Sequence, residues 1–417
     1  MSVFLYEDDC LHVLKNLPES SVDSIITDPP AGISFMGKTW DSDKGGRDHW
    51  ITWMTQVSAE CLRVIKPGGH ALVWALPRTT HWTATAWENA GWEVRDRVAH
   101  LFGSGFPKSH NLSGDLEGWG TALKPACEDW WLLRKPLIGT VLENVLAHGT
   151  GAMNIAACRV ETSENLNGGA YAQSGQERYD GAENWRYRRN GDAGDFVQPT
   201  GRWPANIVHD GSDEVLEAFA AFGEKQTTMR KGYINDRDAA VYGKYANSPT
   251  NPSNTYADSG SAARFFYCAK PSKSERNGSK HPTVKPVNLM RYLCKLVTPK
   301  GGTVLDPFAG SGTTGEAATH EGFNAILIEQ EPEYCTTIRC RLALWLTPEP
   351  MPNPATLSLQ NPSLSSHDAS QDNSQGISSP HHGTGHLPTP STCRDVNLPD
   401  QDSGDPRDGL ASAPGSS

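Results

Sequence analysis

The 417 residues lack the features that would send a chain to a membrane, a disulfide scaffold or a zinc centre. Nine cysteines are present without a single Cys-x-x-Cys pair, which argues for reduced thiols rather than cross-links or structural zinc. Cys335 and Cys340 stand five apart on a predicted helix, a spacing that does not bring two thiols to one ion, and no metal is expected. No apolar run approaches the roughly 20 residues that cross a bilayer. The opening MSVFLYEDDC is acidic where a secretory signal would be basic, so the expected location is the cytoplasm. Basic residues are the minority, 37 against 48 acids, for a net charge of −11. From Glu349 onward, however, eight acids face only Arg394 and Arg407, so a net −6 belongs to the tail. The body is too weakly charged to exclude a nucleic-acid partner.

That tail, from about residue 348 to 417, is Ser, Pro, Asp, Asn, Gln and Gly with few apolar residues, and its composition predicts disorder. Its HHGTGH stretch reads as solvated histidines. Upstream, apolar runs alternate with helical patterns, the mark of a parallel sheet flanked by helices. The strand-like runs are SVDSIIT, GGHALVWAL, GWEVRDRVAHLF, DWWLLRKPL, GTVLDPF and NAILIE. HWITWMTQVSAECLRVI and VNLMRYLCKLV read as helices. Between residues 158 and 262 the texture changes to Gly, Asn, Tyr and Arg, with only SDEVLEAFAAF helical in pattern. A long irregular insertion rich in Tyr, Trp and Arg fits a recognition surface.

Two constellations carry chemistry. In GTVLDPFAGSGTTGEAATHEGFNAILIE a strand ends at Asp306, a glycine-rich turn follows, and a second strand ends at Glu329, 23 residues on. That is close to the spacing at which a nucleotide-binding unit offers a carboxylate to ribose hydroxyls. The turn has no GxxxxGK lysine for phosphates, and an acid at the strand tip suits a ligand with an amino group. S-adenosylmethionine has an amino group and a ribose, and no phosphate. The other constellation is TDPPAGISFMGKTW, residues 27 to 40, where an acid and two prolines follow the predicted buried strand VDSIIT.

DPFAGSGTT and TDPP resemble the cofactor and catalytic motifs of amino-group DNA methyltransferases, and HPTVKP, residues 281 to 286, is similar to the segment that precedes the cofactor motif in their beta-type subgroup. GFPKSHNL, TALKPACEDWWLLRKPL and GRWPANIVHDG are similar to phage and prophage members. The resemblance runs from Phe4 to Leu346 and implies a Rossmann-like class I methyltransferase fold in circularly permuted motif order. Residues 1–157 would be its catalytic part, 158–262 an inserted target-recognition region, 263–347 the cofactor-binding part and 348–417 a disordered tail. It implies methyl transfer from S-adenosylmethionine to the N6 amine of adenine in double-stranded DNA, after base flipping, by a monomer or homodimer, as in restriction-modification. Asp with Pro-Pro favours adenine; N4-cytosine is the alternative.

By the resemblance, Asp28, Pro29 and Pro30 are catalytic. The aromatic that should follow them is replaced by Ala31, so base stacking falls to Phe35 and Trp40, or the chain is a catalytically weakened DNA-binding homologue. Asp306, Pro307, Phe308, Gly310, Gly312 and Thr313 would form the cofactor loop, Glu329 would meet the ribose, and Asp9 with Cys10 the adenine edge. His281, Thr283 and Lys285 would lie by the methionine end. Lys38, Lys108, Arg186, Arg188 and Arg189 are the candidate phosphate contacts, a salt-sensitive contribution.

Overall fold

The computed structural model describes residues 1–105, 109–162, 199–221, 223, 260–270 and 284–347. In chain order these form β1 (Val3–Glu7), α1 (Cys10–Asn16), β2 (Val22–Thr27), α2 (Arg47–Val64), β3 (Ile65–Ala75), α3 (Thr80–Asn89), β4 (Glu93–Leu101), β5 (Cys127–Arg134), α4 (Val141–His148) and β6 (Val160–Glu161). Then come β7 (Gly201–Arg202), β8 (Ile207–His209), α5 (Asp213–Ala220), β9 (Tyr267–Cys268), α6 (Val287–Val297), β10 (Thr303–Asp306), α7 (Thr313–His320), β11 (Asn324–Glu329) and α8 (Pro332–Arg341).

Nine strands make one sheet in the order β1-β11-β10-β2-β3-β5-β4-β8-β9. Neighbours are parallel except that β5 runs antiparallel to both β3 and β4. The apolar run that became β5 carried no sign of its direction, and the parallel sheet expected from the alternation is mixed at that strand. β1 was not among the strand-like runs read from the sequence; it pairs with β11, from Val3 opposite Ala325 to Glu7 opposite Glu329. The first strand thus lies beside the last, the arrangement that a permuted order requires. Val3 N–H also donates to the Trp345 carbonyl, and Thr347 N–H to the Val3 carbonyl, closing the seam.

All six residues of β2 are buried, because a parallel sheet is covered on both faces. Successive side chains alternate between two cores. Ile26, Leu72, Val304 and Leu327 face one core with Leu289, Leu293 and Leu296 of α6 and Ala317 and Ala318 of α7. Ile25, Ala71, Val73, Leu305 and Ile326 face the other, with Leu14 of α1, Trp50, Met54 and Val57 of α2 and Trp87 of α3. Each fully buried large side chain contributes on the order of 1.5–3 kcal/mol. β8, inside the stretch assigned to recognition, pairs with β4 and so belongs to the same sheet. The tail and most of 158–262 lie outside the described residues.

Candidate active site

Because β1, β11, β10, β2 and β3 are parallel, their carboxyl ends open on one edge of the sheet, and the acids Asp9, Glu329, Asp306 and Asp28 stand at or just beyond the first four of those ends. Here the chain leaves β10 toward β11 on one side and has β2 on the other, the switch point at which open α/β sheets bind ligands. A cavity of about 530 Å³ lies there. Asp28, Pro29, Pro30, Phe35, Trp40, Asp9, Cys10, Lys285, Asp306, Pro307, Phe308, Gly310, Thr313 and Glu329 all line it. Gly312 does not; it caps α7 with φ of 78°, and a Cβ there would meet Ile338 at 3.0 Å. Lys38 is exposed on the loop after the prolines and is not in the wall. His281, Thr283, Lys108, Arg186, Arg188 and Arg189 lie outside the described residues.

Asp306 is buried and tied into the fold. Its Oδ1 accepts from Thr27 Oγ1 at 2.6 Å and from Phe308 N–H at 3.1 Å, and its Oδ2 accepts from Thr314 Oγ1 at 2.6 Å. Burial pushes its carboxyl up to about 6 against those bonds. The acid therefore fixes the glycine turn and joins it to β2. Glu329 Oε2 accepts from Gly310 N–H at 2.8 Å and Oε1 from Glu331 N–H at 2.8 Å, and burial raises it to about 7 against those two donors. Asp9 caps α1, taking Leu11 N–H and His12 N–H on Oδ1. Burial pushes the neighbouring Cys10 thiol up to about 12, so it is neutral and no nucleophile.

After Pro30 the chain is held by Asp41, which the sequence reading passed over. This buried carboxylate accepts from Gly32 N–H at 3.1 Å and Phe35 N–H at 2.7 Å. The Ala31 carbonyl takes the Thr79 hydroxyl at 2.9 Å. Gly32 has φ of 71° and lies so close to Trp50 that a Cβ would meet its ring at 2.8 Å. Phe35 and Trp40 are thereby held in the cavity wall, where Trp53 packs on Phe308 at 5.9 Å between ring centroids.

Asp28, with 23% of its side chain exposed to the cavity, is paired with Lys285 Nζ at 3.2 Å. The same ammonium lies 3.7 Å from Glu128 Oε2 and 3.9 Å above the centroid of Trp74. Burial raises the Asp28 carboxyl to about 6; Lys285 opposes this and Glu128 adds to it. Burial would raise Glu128 too, but Lys285, helped by His100 and Trp74, outweighs it and holds that carboxyl at about 2. Trp74 was read only as a member of the strand-like run GGHALVWAL, and Glu128 stands one residue before the run DWWLLRKPL, inside the stretch TALKPACEDWWLLRKPL. An acid interrupting the apolar pattern of ACEDWWLL was the available signal.

The N6/N4 DNA methylase family model matches residues 22–117 and 170–339. The chain belongs to that DNA methylase family. Those two stretches contain both the Asp28-Pro29-Pro30 tip and the glycine turn, the two halves of the cavity. Among curated members, the type II methyltransferase M.BglI of Bacillus subtilis is 26% identical over 340 residues, 79% of this chain and 82% of that enzyme. The type II methyltransferase M.BamHI of Bacillus amyloliquefaciens is 34% identical over 74 residues, a match covering only 18% of each chain. Among solved structures, the M1.HpyAVI–SAM complex shares 18% identity at a TM-score of 0.40, over 82% of this chain and 98% of that one. The strand order described above is itself that of a Rossmann-like class I methyltransferase sheet, entered at a permuted position.

Proposed function

We propose that this DNA methylase transfers a methyl group from S-adenosylmethionine to the N6 amine of adenine in double-stranded DNA. One observation carries the reading: Asp28-Pro29-Pro30 on one side and the glycine turn with Glu329 on the other, far apart in sequence, face one cavity. The cavity suits the cofactor. The glycine turn leaves backbone free of Cβ atoms, Glu329 offers acceptors where ribose hydroxyls would lie, and no lysine of a phosphate loop is present. Asp9, Cys10, Phe308, Gly310, Thr313 and Glu329 are the residues that would hold it. When bound, it supplies an electrophilic sulfonium methyl.

An exocyclic amine is a poor nucleophile because its lone pair is delocalised into the ring. Asp28 and the Pro29 carbonyl accept its two N–H hydrogens, which draws the nitrogen toward tetrahedral geometry and aims the lone pair at the methyl. Proline suits this position because its φ is fixed. With the cofactor bound, its methyl would pass to the nitrogen while the S–C bonding pair returned to sulfur, and Asp28 takes the proton that the nitrogen sheds. The target base must leave the helix to reach the pocket, and Phe35 and Trp40 take the stacking role that Ala31 gives up. Adenine is preferred over cytosine on the Asp28-Pro29-Pro30 motif. We assign phosphate contacts to Lys38, Lys108, Arg186, Arg188 and Arg189, and recognition to 158–262.

The test is modified-base sequencing of DNA from a methylation-free host that expresses the chain. N6-methyladenine at a defined site is the expected result. N4-methylcytosine would correct the base, and unmodified DNA alongside soluble, cofactor-binding protein would overturn the assignment of activity.

A further inference from the structure

Three groups in the cavity wall form a charge pattern that the transfer chemistry above does not need as such: carboxylate, ammonium, carboxylate. Asp28 extends from the tip of β2, Glu128 from β5, and Trp74 of β3 lies between them as a floor for Lys285. Lys285 stands two residues before α6 and is 9% exposed, so its ammonium has little water to spread its charge into. At 3.2 Å from Asp28 alone, it would neutralise the carboxylate that must accept the amine. Glu128 Oε2, at 3.7 Å, draws on the same charge.

We propose that Glu128 is a positioning residue for methyl transfer: it shares Lys285 with Asp28 and so leaves the Asp28 carboxylate only partly compensated as it faces the target amine. The inference rests on the DNA methyltransferase reading. Positive charge grows on the amine nitrogen as the N–C bond forms. A wall with two carboxylates and one ammonium stabilises that charge; a neutral pair would not. The other titratable groups around the cluster fit this division. His100 Nδ1 lies 3.9 Å from Glu128 Oε2, on the side away from Asp28, and Asp306 at the tip of the adjacent strand adds negative charge near Asp28. Burial holds the Asp28 carboxyl up despite Lys285, whereas at Glu128 the same ammonium, with His100 and Trp74, outweighs burial and holds the carboxyl down.

Glu128→Gln keeps the shape and removes the charge. Lys285 then pairs with Asp28 alone, which lowers the Asp28 carboxyl. The expected result is a kcat about ten- to hundred-fold lower with the cofactor Kd within about twofold of wild type. The acid limb of the kcat profile should also move to lower pH than the wild type's. A merely structural contribution would lower kcat without moving that limb. Glu128→Asp should recover part of the rate, and in a Lys285→Met background Glu128→Gln should lose most of its effect. Additive effects of the two changes, or an active wild type with Glu128→Gln equal to it in rate and pH profile, overturn the inference alone. A wild type that binds the cofactor and transfers no methyl group to DNA overturns the functional reading and this inference with it.

Discussion

Glu329→Gln sets two opposed effects against each other. Both carboxylate oxygens accept a backbone N–H at 2.8 Å, from Gly310 and from Glu331. A glutamine has one oxygen, so one of those N–H groups meets an NH2, at a cost of about 1–3 kcal/mol. Against this, the change removes a buried charge. The carboxyl is raised by burial from 4.5 to about 7. The folded chain therefore holds a proton there that the unfolded chain has released, and stability falls as pH rises through that window. The loss amounts to roughly 3 kcal/mol at most. At pH 8 the two effects nearly cancel and the melting temperature should hardly move, whereas below the window only the lost hydrogen bond remains and the variant should melt earlier than wild type. Cofactor binding should show no such cancellation. If Glu329 accepts ribose hydroxyls, losing a charged acceptor weakens binding by about 1.5–3 kcal/mol, roughly ten- to hundred-fold. Wild-type affinity should weaken as pH falls through about 7, and the variant's should not. Calorimetric titration with S-adenosylmethionine across this pH range measures both. Equal affinity for the two proteins, or a flat wild-type profile, would refute the assignment of Glu329.

Other expectations follow from the same geometry. Asp28 must be ionised to accept the amine, so kcat should fall as pH drops through about 6, a limb that a pH–rate series will locate. Trp40→Ala should weaken stacking of the extruded base by about 1–3 kcal/mol, read as lower kcat/KM and as lost quenching of 2-aminopurine placed at the target. Asp41→Ala strands the Gly32 and Phe35 N–H groups, so it should lower the melting temperature, at about 1–3 kcal/mol for each group left unsatisfied, and lower kcat with little change in cofactor Kd.

Much of this site was legible in the sequence because its parts are strand ends and glycines. TVLDPF followed by GSGTTG specifies a strand, a turn and a helix start by local chemistry alone, and Asp28 was marked by the prolines beside it. Glu128, Trp74 and Asp41 were not legible in that way. Their roles depend on which strands lie side by side, and nothing local reports that Trp74 ends up under Lys285, 211 positions later. The direction of β5 escaped for the same reason: CEDWWLLR reads as a buried strand either way, and only its pairing with β3 and β4 gives its sense. The role of Asp306 was legible as a position but not as a set of bonds, since the Thr27 hydroxyl that satisfies it comes from a strand 279 residues away.

In the proposed mechanism the Asp28 carboxylate grips the target amine across from a separate cofactor cradle. Asp28→Ala removes that acceptor and touches neither Gly310 nor Glu329. Transfer of labelled methyl groups to duplex DNA, measured with cofactor Kd on the same preparation, should show turnover reduced by about 10²–10³-fold with binding of S-adenosylmethionine retained. Turnover close to wild type would contradict the account, as would loss of cofactor binding in step with turnover.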